Sequence, residues 1–454
     1  MSAIPLKIAY IGGGSRDWAR KLMFDLALCP DLSGQIALYD IDLESARLNE
    51  RFGNWLQNQN GVVSRWQYKN EEKIEEALKD ADFVIISIQP GSLEMMAQEI
   101  AIAERYGLFF PVGDTSGAPG LIRGIRAVTA YKLFAEKISS ICPAAWVINY
   151  SNPMSICTRT LTRVAPELKV IGCCHEVFAV KRLLASLVNQ YWKVETPAIA
   201  NIKANIIGIN HFTWFTEATW NGRDIFELIK YHIAQPGTIR QYSKEEVESW
   251  NDWFKSVHQI KYKLFERFGI FPAAGDRHLV EFLPGFICSP EELFSQGIIR
   301  TPVSFRINRW ISAPQKTLDI MSGKTPLQIQ SSGEEGVKQI RALLGLGDLI
   351  TNVNFKNQGQ ISNLPLDVVV ETNACIQKDE VRPIAAGSIP LALEPLISRH
   401  SINQELIIES ALTGKKDPAF QAVYLDPTNT MTIDKTWLMF NELVDVNKGY
   451  FKLI

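Results

Sequence analysis

Leu6-Lys-Ile-Ala-Tyr-Ile11, running into Gly12-Gly13-Gly14-Ser15, is the stretch on which the fold turns. A short apolar run that stops at glycines suits a buried parallel strand. Glycines at its end let the backbone approach a pyrophosphate, and the N-terminus of a following helix favours that negative charge. The helix is expected from about Asp17 to Leu28, with Asp17 standing where the third glycine of the usual fingerprint would be. The next strand, Gln35 to Asp40, ends on a carboxylate. There Asp40 can accept hydrogen bonds from the adenosine ribose hydroxyls and would repel a 2′-phosphate, which favours NAD over NADP. The glycines alone would equally serve a tight turn. Strand, glycines, helix and an acidic strand end together point to a nucleotide.

Outward from this unit the alternation continues. Leu43 to about Asn58 reads as a helix, Asp82 to Ile88 as a core strand, and Ala145 to Asn149 and Lys169 to Gly172 as further strands, each followed by a helix candidate. Strands separated by helices call for a parallel sheet with right-handed crossovers. The expected fold class is therefore α/β: a Rossmann-like, doubly wound domain over residues 1–195. After about residue 196 the texture changes. Lys203 to Asn210 and Phe212 to Thr219 look like neighbouring strands, with a hairpin turn signal at Trp220-Asn221-Gly222-Arg223. Ser243 to Phe268 reads as one long helix, Glu334 to Leu344, Ile389 to Ser398 and Ser401 to Leu412 as further helices, with one more near the C-terminus, and Leu366 to Glu371 as a strand. Residues 196–454 form an expected α+β domain that carries substrate, metal and oligomer contacts.

The 454 residues carry a formal net charge of −2, with 46% hydrophobic and 21% charged residues. That balance is globular and shows no basic excess for nucleic acid or an anionic membrane. No apolar run approaches the roughly 20 residues of a membrane helix. The opening Met1-Ser-Ala-Ile-Pro-Leu-Lys-Ile8 leads straight into the first strand without a signal-like region. The seven scattered cysteines read as reduced thiols. These features predict a soluble cytoplasmic protein.

Three further segments carry chemistry. Asn149-Tyr-Ser-Asn152-Pro153 follows a strand at the carboxyl edge, where ligands collect in such folds. Its asparagines could cap the next helix, or Asn149 could lie near a nicotinamide ribose while Asn152 binds sugar hydroxyls. Cys174-His175-Glu176-Val177 and Gly208-Ile209-Asn210-His211 each sit at the end of an expected strand. Cys174 and His211 offer a thiolate and an imidazole that could share one metal ion, although a buried thiol and a core histidine would look the same in isolation. Two protein ligands leave room for substrate oxygens, as a metal that must chelate a diol requires.

With these residues in view the chain resembles glycoside hydrolase family 4, whose NAD- and metal-dependent members depart from the two-carboxylate scheme of glycosidases. The resemblance spans Ile11 to Ser15, Gly113-Asp-Thr-Ser-Gly-Ala-Pro-Gly120, Asn149 to Pro153, Cys174 to Val177, Gly208 to His211 and Leu364-Pro-Leu-Asp-Val-Val-Val-Glu371. Cys-His-Glu-Val resembles the α-galacturonidase branch, which implies α-galacturonides of oligogalacturonate type as substrates. The implied chemistry begins with oxidation at C3 by NAD⁺. Loss of the C2 proton is then assisted by Mn²⁺ or another divalent metal on Cys174 and His211. Elimination, water addition and re-reduction follow. The resemblance also implies Asp276 as the C2 base, although an Asp capping the helix after Gly275 would look the same, and His175 as the leaving-group acid. His278 becomes a substrate contact, and Arg123 or Arg277 a partner for a uronate carboxylate. A homodimer or homotetramer is expected. An α-galactosidase or α-glucosidase of the same family, an NAD-dependent sugar or polyol dehydrogenase, and a sugar- or NAD-sensing module are the competing readings.

Overall fold

Along β1 (Ile4–Ile11) Ile8 and Tyr10 pack on one side of the sheet and Ala9 and Ile11 on the other, all four buried. A strand apolar on both sides must be covered by helices on both faces. The computed structural model, which describes residues 3–454, shows that arrangement. β1 pairs in parallel with β2 (Leu32–Tyr39), which pairs with β3 (Arg65–Asn70). On its other side follow β4 (Phe83–Ile86), β5 (Trp146–Asn149) and β6 (Lys169–Gly172). The order β3-β2-β1-β4-β5-β6 reverses between β1 and β4, and in such sheets the ligand crevice opens at that reversal, outside the carboxyl ends of the strands. The expected doubly wound α/β architecture is present.

A second, antiparallel sheet is built from β7 (Lys203–Ile209), β8 (Phe212–Trp220), the short β9 (Arg223–Asp224) and β10 (Phe271–Pro272). The β8–β9 turn uses Asn221 and Gly222, both at positive φ (50° and 75°), as a two-residue hairpin requires. Between β7 and β8 the chain turns at Asn210-His211, joined by a cis peptide, as are Asn152 and Pro153.

The chain then returns to the first sheet. β11 (Leu349–Lys356) lies antiparallel on β6 with Asn354 opposite Gly172, followed outward by β12 (Val369–Gln377) and β13 (Glu380–Pro383). The sheet thus has nine strands and runs across residue 195, so the 195/196 division does not divide the sheet. The added strands cover the edge that β6 would otherwise leave open.

Helix lengths differ from expectation at two places. The stretch 243–268 is two helices, Lys244–Ser249 and Gln259–Phe268, because Asn251 and His258 take positive φ between them. Conversely 389–398 and 401–412 merge into one helix, Glu394–Thr413. Of the buried polar residues at its centre, Ser401 donates to the Ile397 carbonyl and His400 Nε2 lies 2.9 Å from the Phe282 carbonyl, whereas the Asn403 amide has no partner. Among the described residues no helix is long and apolar enough to cross a membrane.

Candidate active site

The glycine loop leaves β1 at the crevice. Gly12 has φ +93°, and a Cβ there would stand 2.0 Å from the Ser87 carbonyl oxygen, so only glycine lets the loop lie against the end of β4. Gly14 N–H donates to Asp40 Oδ2 (2.8 Å) and Asp42 N–H to Asp40 Oδ1 (2.9 Å). Asn49 Nδ2 donates to the Gly13 and Ser15 carbonyls, and the Ser15 hydroxyl accepts Trp18 N–H. The loop is therefore built before any ligand arrives. Each Asp40 oxygen spends one lone pair on it and keeps another for a ribose hydroxyl. Asp17, in place of the third glycine, precedes helix Trp18–Ala27 and pairs with Arg309 at 2.7 Å.

Asn149 requires a correction. It is fully buried. Its Oδ1 accepts Ser151 N–H and the Tyr131 hydroxyl, and its Nδ2 reaches the Ser151 carbonyl and Thr158 Oγ1. That side chain shapes the turn after β5 and has nothing left for a nicotinamide ribose. Asn152 fits its expected place better: its Oδ1 is buried with no partner.

Cys174 follows β6, and its thiol lies beside the side chain of Asn210, the residue before His211. The structure thus brings together the two segments that the sequence suggested as metal donors. Burial, with Glu371 and Glu176 adding to it, raises the Cys174 thiol well above its ordinary range. A thiolate here calls for a cation. His211 is buried too, and burial beside His278 lowers it to about 3, so it is a neutral donor at working pH.

Its tautomer follows from its neighbours. Burial would raise Asp114, but Arg306, His278 and Arg123 outweigh it and hold Asp114 well below the carboxylate range. The ionised carboxylate accepts the Thr115 hydroxyl proton (2.9 Å), so Thr115 Oγ1, 3.2 Å from His211 Nδ1, must itself accept. His211 therefore carries its proton on Nδ1 and presents the Nε2 lone pair, the outer-sphere pattern of metal-bound imidazoles. Among the described residues no three His, Cys, Asp or Glu form a closed cage. The donor set fits an open divalent site completed by oxygen ligands from outside the chain.

His278 stacks on His211, ring centroids 4.1 Å apart. Its Nε2 is 3.7 Å from Glu176 Oε1, and its Nδ1 is buried without a partner. Glu176 accepts Gly275 N–H at 2.6 Å. Burial would raise this carboxylate, yet His278, His211 and that N–H bring it down to about 2. His175 is half-exposed beside Trp18, with Nδ1 3.6 Å from Glu334 Oε1.

Asp276 is the second correction. It is buried, its Oδ1 pairs with Lys261 Nζ at 2.6 Å, and it accepts the Ile260 and Lys261 N–H groups. This carboxylate anchors the start of helix Gln259–Phe268 instead of standing free as a base. The arginines also separate. Arg123 donates to the Asn152 carbonyl and Gln89, and Arg277 to the Pro111 carbonyl and Thr301. Arg306, on helix Val303–Met321, is half-buried and makes only long contacts, 3.7 Å to Asp114 Oδ2 and 3.5 Å to the Val112 carbonyl. Sequence reasoning missed it, and nothing in its local sequence marks it. It also missed Asp114, Thr115 and Glu176 as individual actors, although each lies inside a motif already singled out.

The sequence pattern of family 4 glycosyl hydrolases matches residues 7–190, and that of the family's C-terminal domain matches residues 206–429. The chain belongs to glycosyl hydrolase family 4. It is similar to the α-galacturonidase of Thermoanaerobacter italicus, 44% identical over 98% of this chain and 97% of that protein. The crystal structure of lplD from Bacillus subtilis superposes with a TM-score of 0.90 at 43% identity, covering 98% of this chain and 100% of that one. A 6-phospho-α-glucosidase from gut microorganisms, in complex with NAD and Mn²⁺, shares the fold with a TM-score of 0.81 at 20% identity over 99% of this chain and 100% of that one.

Proposed function

We propose that this family 4 glycosyl hydrolase cleaves α-galacturonides of the oligogalacturonate type, using NAD and a divalent metal such as Mn²⁺. The observation that carries the substrate class is the full-length similarity to an α-galacturonidase. When bound, NAD⁺ supplies a hydride acceptor for C3 and the divalent cation supplies Lewis acidity for loss of the C2 proton.

The chain's own residues do the rest. Gly12 to Ser15 and Asp40 hold the dinucleotide. Cys174 Sγ and His211 Nε2 hold the cation, with the Asp114–Thr115 pair keeping the His211 proton on Nδ1. Asn152, through its unpartnered Oδ1, accepts a sugar hydroxyl. His278 Nδ1, buried and free while Nε2 faces ionised Glu176, is placed to take up and return the C2 proton. Apo distances of this kind tighten when substrate closes the site. His175 stands at the open side, where a leaving glycosidic oxygen takes its proton. Arg306, the least committed of the three guanidinium groups, reads the uronate carboxylate, and Arg277 and Arg123 hold the walls on either side.

The test is turnover of an α-galacturonide with NAD⁺ and Mn²⁺, compared with the matching α-galactoside. Hydrolysis without net NADH and a clear preference for the uronide are expected. An equal or better rate on the neutral sugar would remove the uronide assignment and leave the glycosidase standing. Steady NADH production would favour a dehydrogenase.

A homodimer or homotetramer is part of the same reading. Helix Val303–Met321 buries only Ala313 and Thr317 and exposes Trp310, Ile311 and Leu318. Light scattering that returns a monomer would refute it. A cytoplasmic location fits the unpaired cysteines.

A further inference from the structure

The motif Leu364 to Glu371 has no part in the chemistry above, yet its last residue reaches the metal donors. Glu371, on β12, is 1% exposed. Its Oε1 accepts from Asn352 Nδ2 at 2.7 Å and its Oε2 from Asn210 Nδ2 at 3.1 Å. Asn352 Nδ2 also lies 3.5 Å from the Cys174 carbonyl. Asn210 precedes His211 and lies beside the Cys174 thiol. One carboxylate therefore bridges the segment after β6 and the turn between β7 and β8. The frame around it is rigid: Asn354 of β11 stands opposite both Glu371 and Gly172, and Asn373 Nδ2 of β12 donates to the Ala204 carbonyl of β7 at 2.8 Å.

A buried carboxylate is a costly way to fasten strands, because an apolar pair would do so without desolvating a charge. Glu371 meets amides and no cationic side chain in this hydrogen-bonded set.

We propose that Glu371 is a positioning residue of the metal site. Its carboxylate fixes the Asn210 amide and, through Asn352, the Cys174 backbone. It thereby sets the spacing of Cys174 Sγ and His211 and adds outer-sphere negative charge for a divalent cation, without coordinating it. The inference rests on the reading of Cys174 and His211 as metal ligands.

The test is direct titration of Mn²⁺, followed by the electron paramagnetic resonance of the free ion, with NAD affinity measured on the same samples. For Glu371→Gln the Mn²⁺ Kd is expected to rise by about 10–100-fold while the NAD Kd stays within about twofold. Asn352→Ala, which removes one bridge and keeps the charge, should show a smaller rise. Glu371→Gln with wild-type Mn²⁺ affinity overturns the proposal. If that variant also loses NAD binding through misfolding, Asn352→Ala decides, and unchanged Mn²⁺ affinity there overturns it equally. Cys174→Ser is the control: if it binds Mn²⁺ like the wild type, the ligand assignment fails, not the positioning role alone.

Discussion

Metal binding at His211 asks for a neutral ring with its lone pair turned the right way, and three residues arrange that. Asp114 accepts a hydrogen bond from the Thr115 hydroxyl, and Thr115 Oγ1 accepts one from His211 Nδ1. Thr115→Val, nearly isosteric, should weaken Mn²⁺ binding about tenfold and leave NAD binding intact, with Thr115→Ser close to wild type. Calorimetric titration of the three proteins checks this, and a valine variant with unchanged affinity would show that the tautomer is set elsewhere. Arg306 allows a second test. A charge-assisted contact to a carboxylate contributes about 1.5–3 kcal/mol, so Arg306→Ala should cut the preference for α-galacturonide over α-galactoside roughly 10–100-fold. Paired kcat/KM measurements report it, and an unchanged ratio assigns the carboxylate to another residue. Cys174 and His211 were legible as candidate donors because each stands beside a recognisable strand end. Asp276 stayed open between base and helix anchor, because an Asp after Gly at the start of a short helix looks alike whether it acts or anchors. Only the buried Lys261 beneath it distinguishes the two.

That pair acts on whole elements. Lys261 and Asp276 join helix Gln259–Phe268 to the loop that carries Gly275, which in turn holds Glu176. Asp276→Asn leaves a buried ammonium without its counterion, which costs about 3–5 kcal/mol. The expected result is a clear fall in Tm. An unchanged Tm with turnover abolished would restore Asp276 as the base. Glu281 ties the segment before helix Gly117–Ile141 to the His278 helix, its Oε1 accepting both Val112 and Gly113 N–H. Burial, joined by nearby Asp114, outweighs those N–H groups and pushes its carboxyl up to about 8 from an ordinary 4.5. The folded state therefore binds this proton more tightly than the unfolded chain. The stabilisation is complete below about pH 4.5 and is lost as pH rises through about 8. Thermal melts should show Glu281→Gln gaining on the wild type between those limits, whereas parallel curves would contradict the shift. Elements of the first half were legible because alternation of buried strands and amphipathic helices is strong there. The break at 250–258 was not, since its aromatic residues imitate helical spacing. Nor was the continuity of Glu394–Thr413, whose buried polar centre imitates a loop.

At the scale of the molecule, the nine-stranded sheet carries most of the proposed site, and the turn between β7 and β8 of the second sheet adds His211. β1 delivers the glycine loop at the strand-order reversal, β6 leads into Cys174, and β12, on the far side of β11, carries the Glu371 carboxylate. The parallel core was readable from local pattern, but the return of β11–β13 to its edge was not, because pairing across so long a sequence separation leaves no local signature. The central claim is that this crevice removes and restores the C2 proton of an α-galacturonide. The most direct measurement is turnover of that substrate in D₂O with NAD⁺ and Mn²⁺, followed by proton NMR of the released sugar. Galacturonate carrying deuterium at C2, with no accumulation of NADH, is the predicted result. Release of galacturonate with its C2 proton retained would contradict the account.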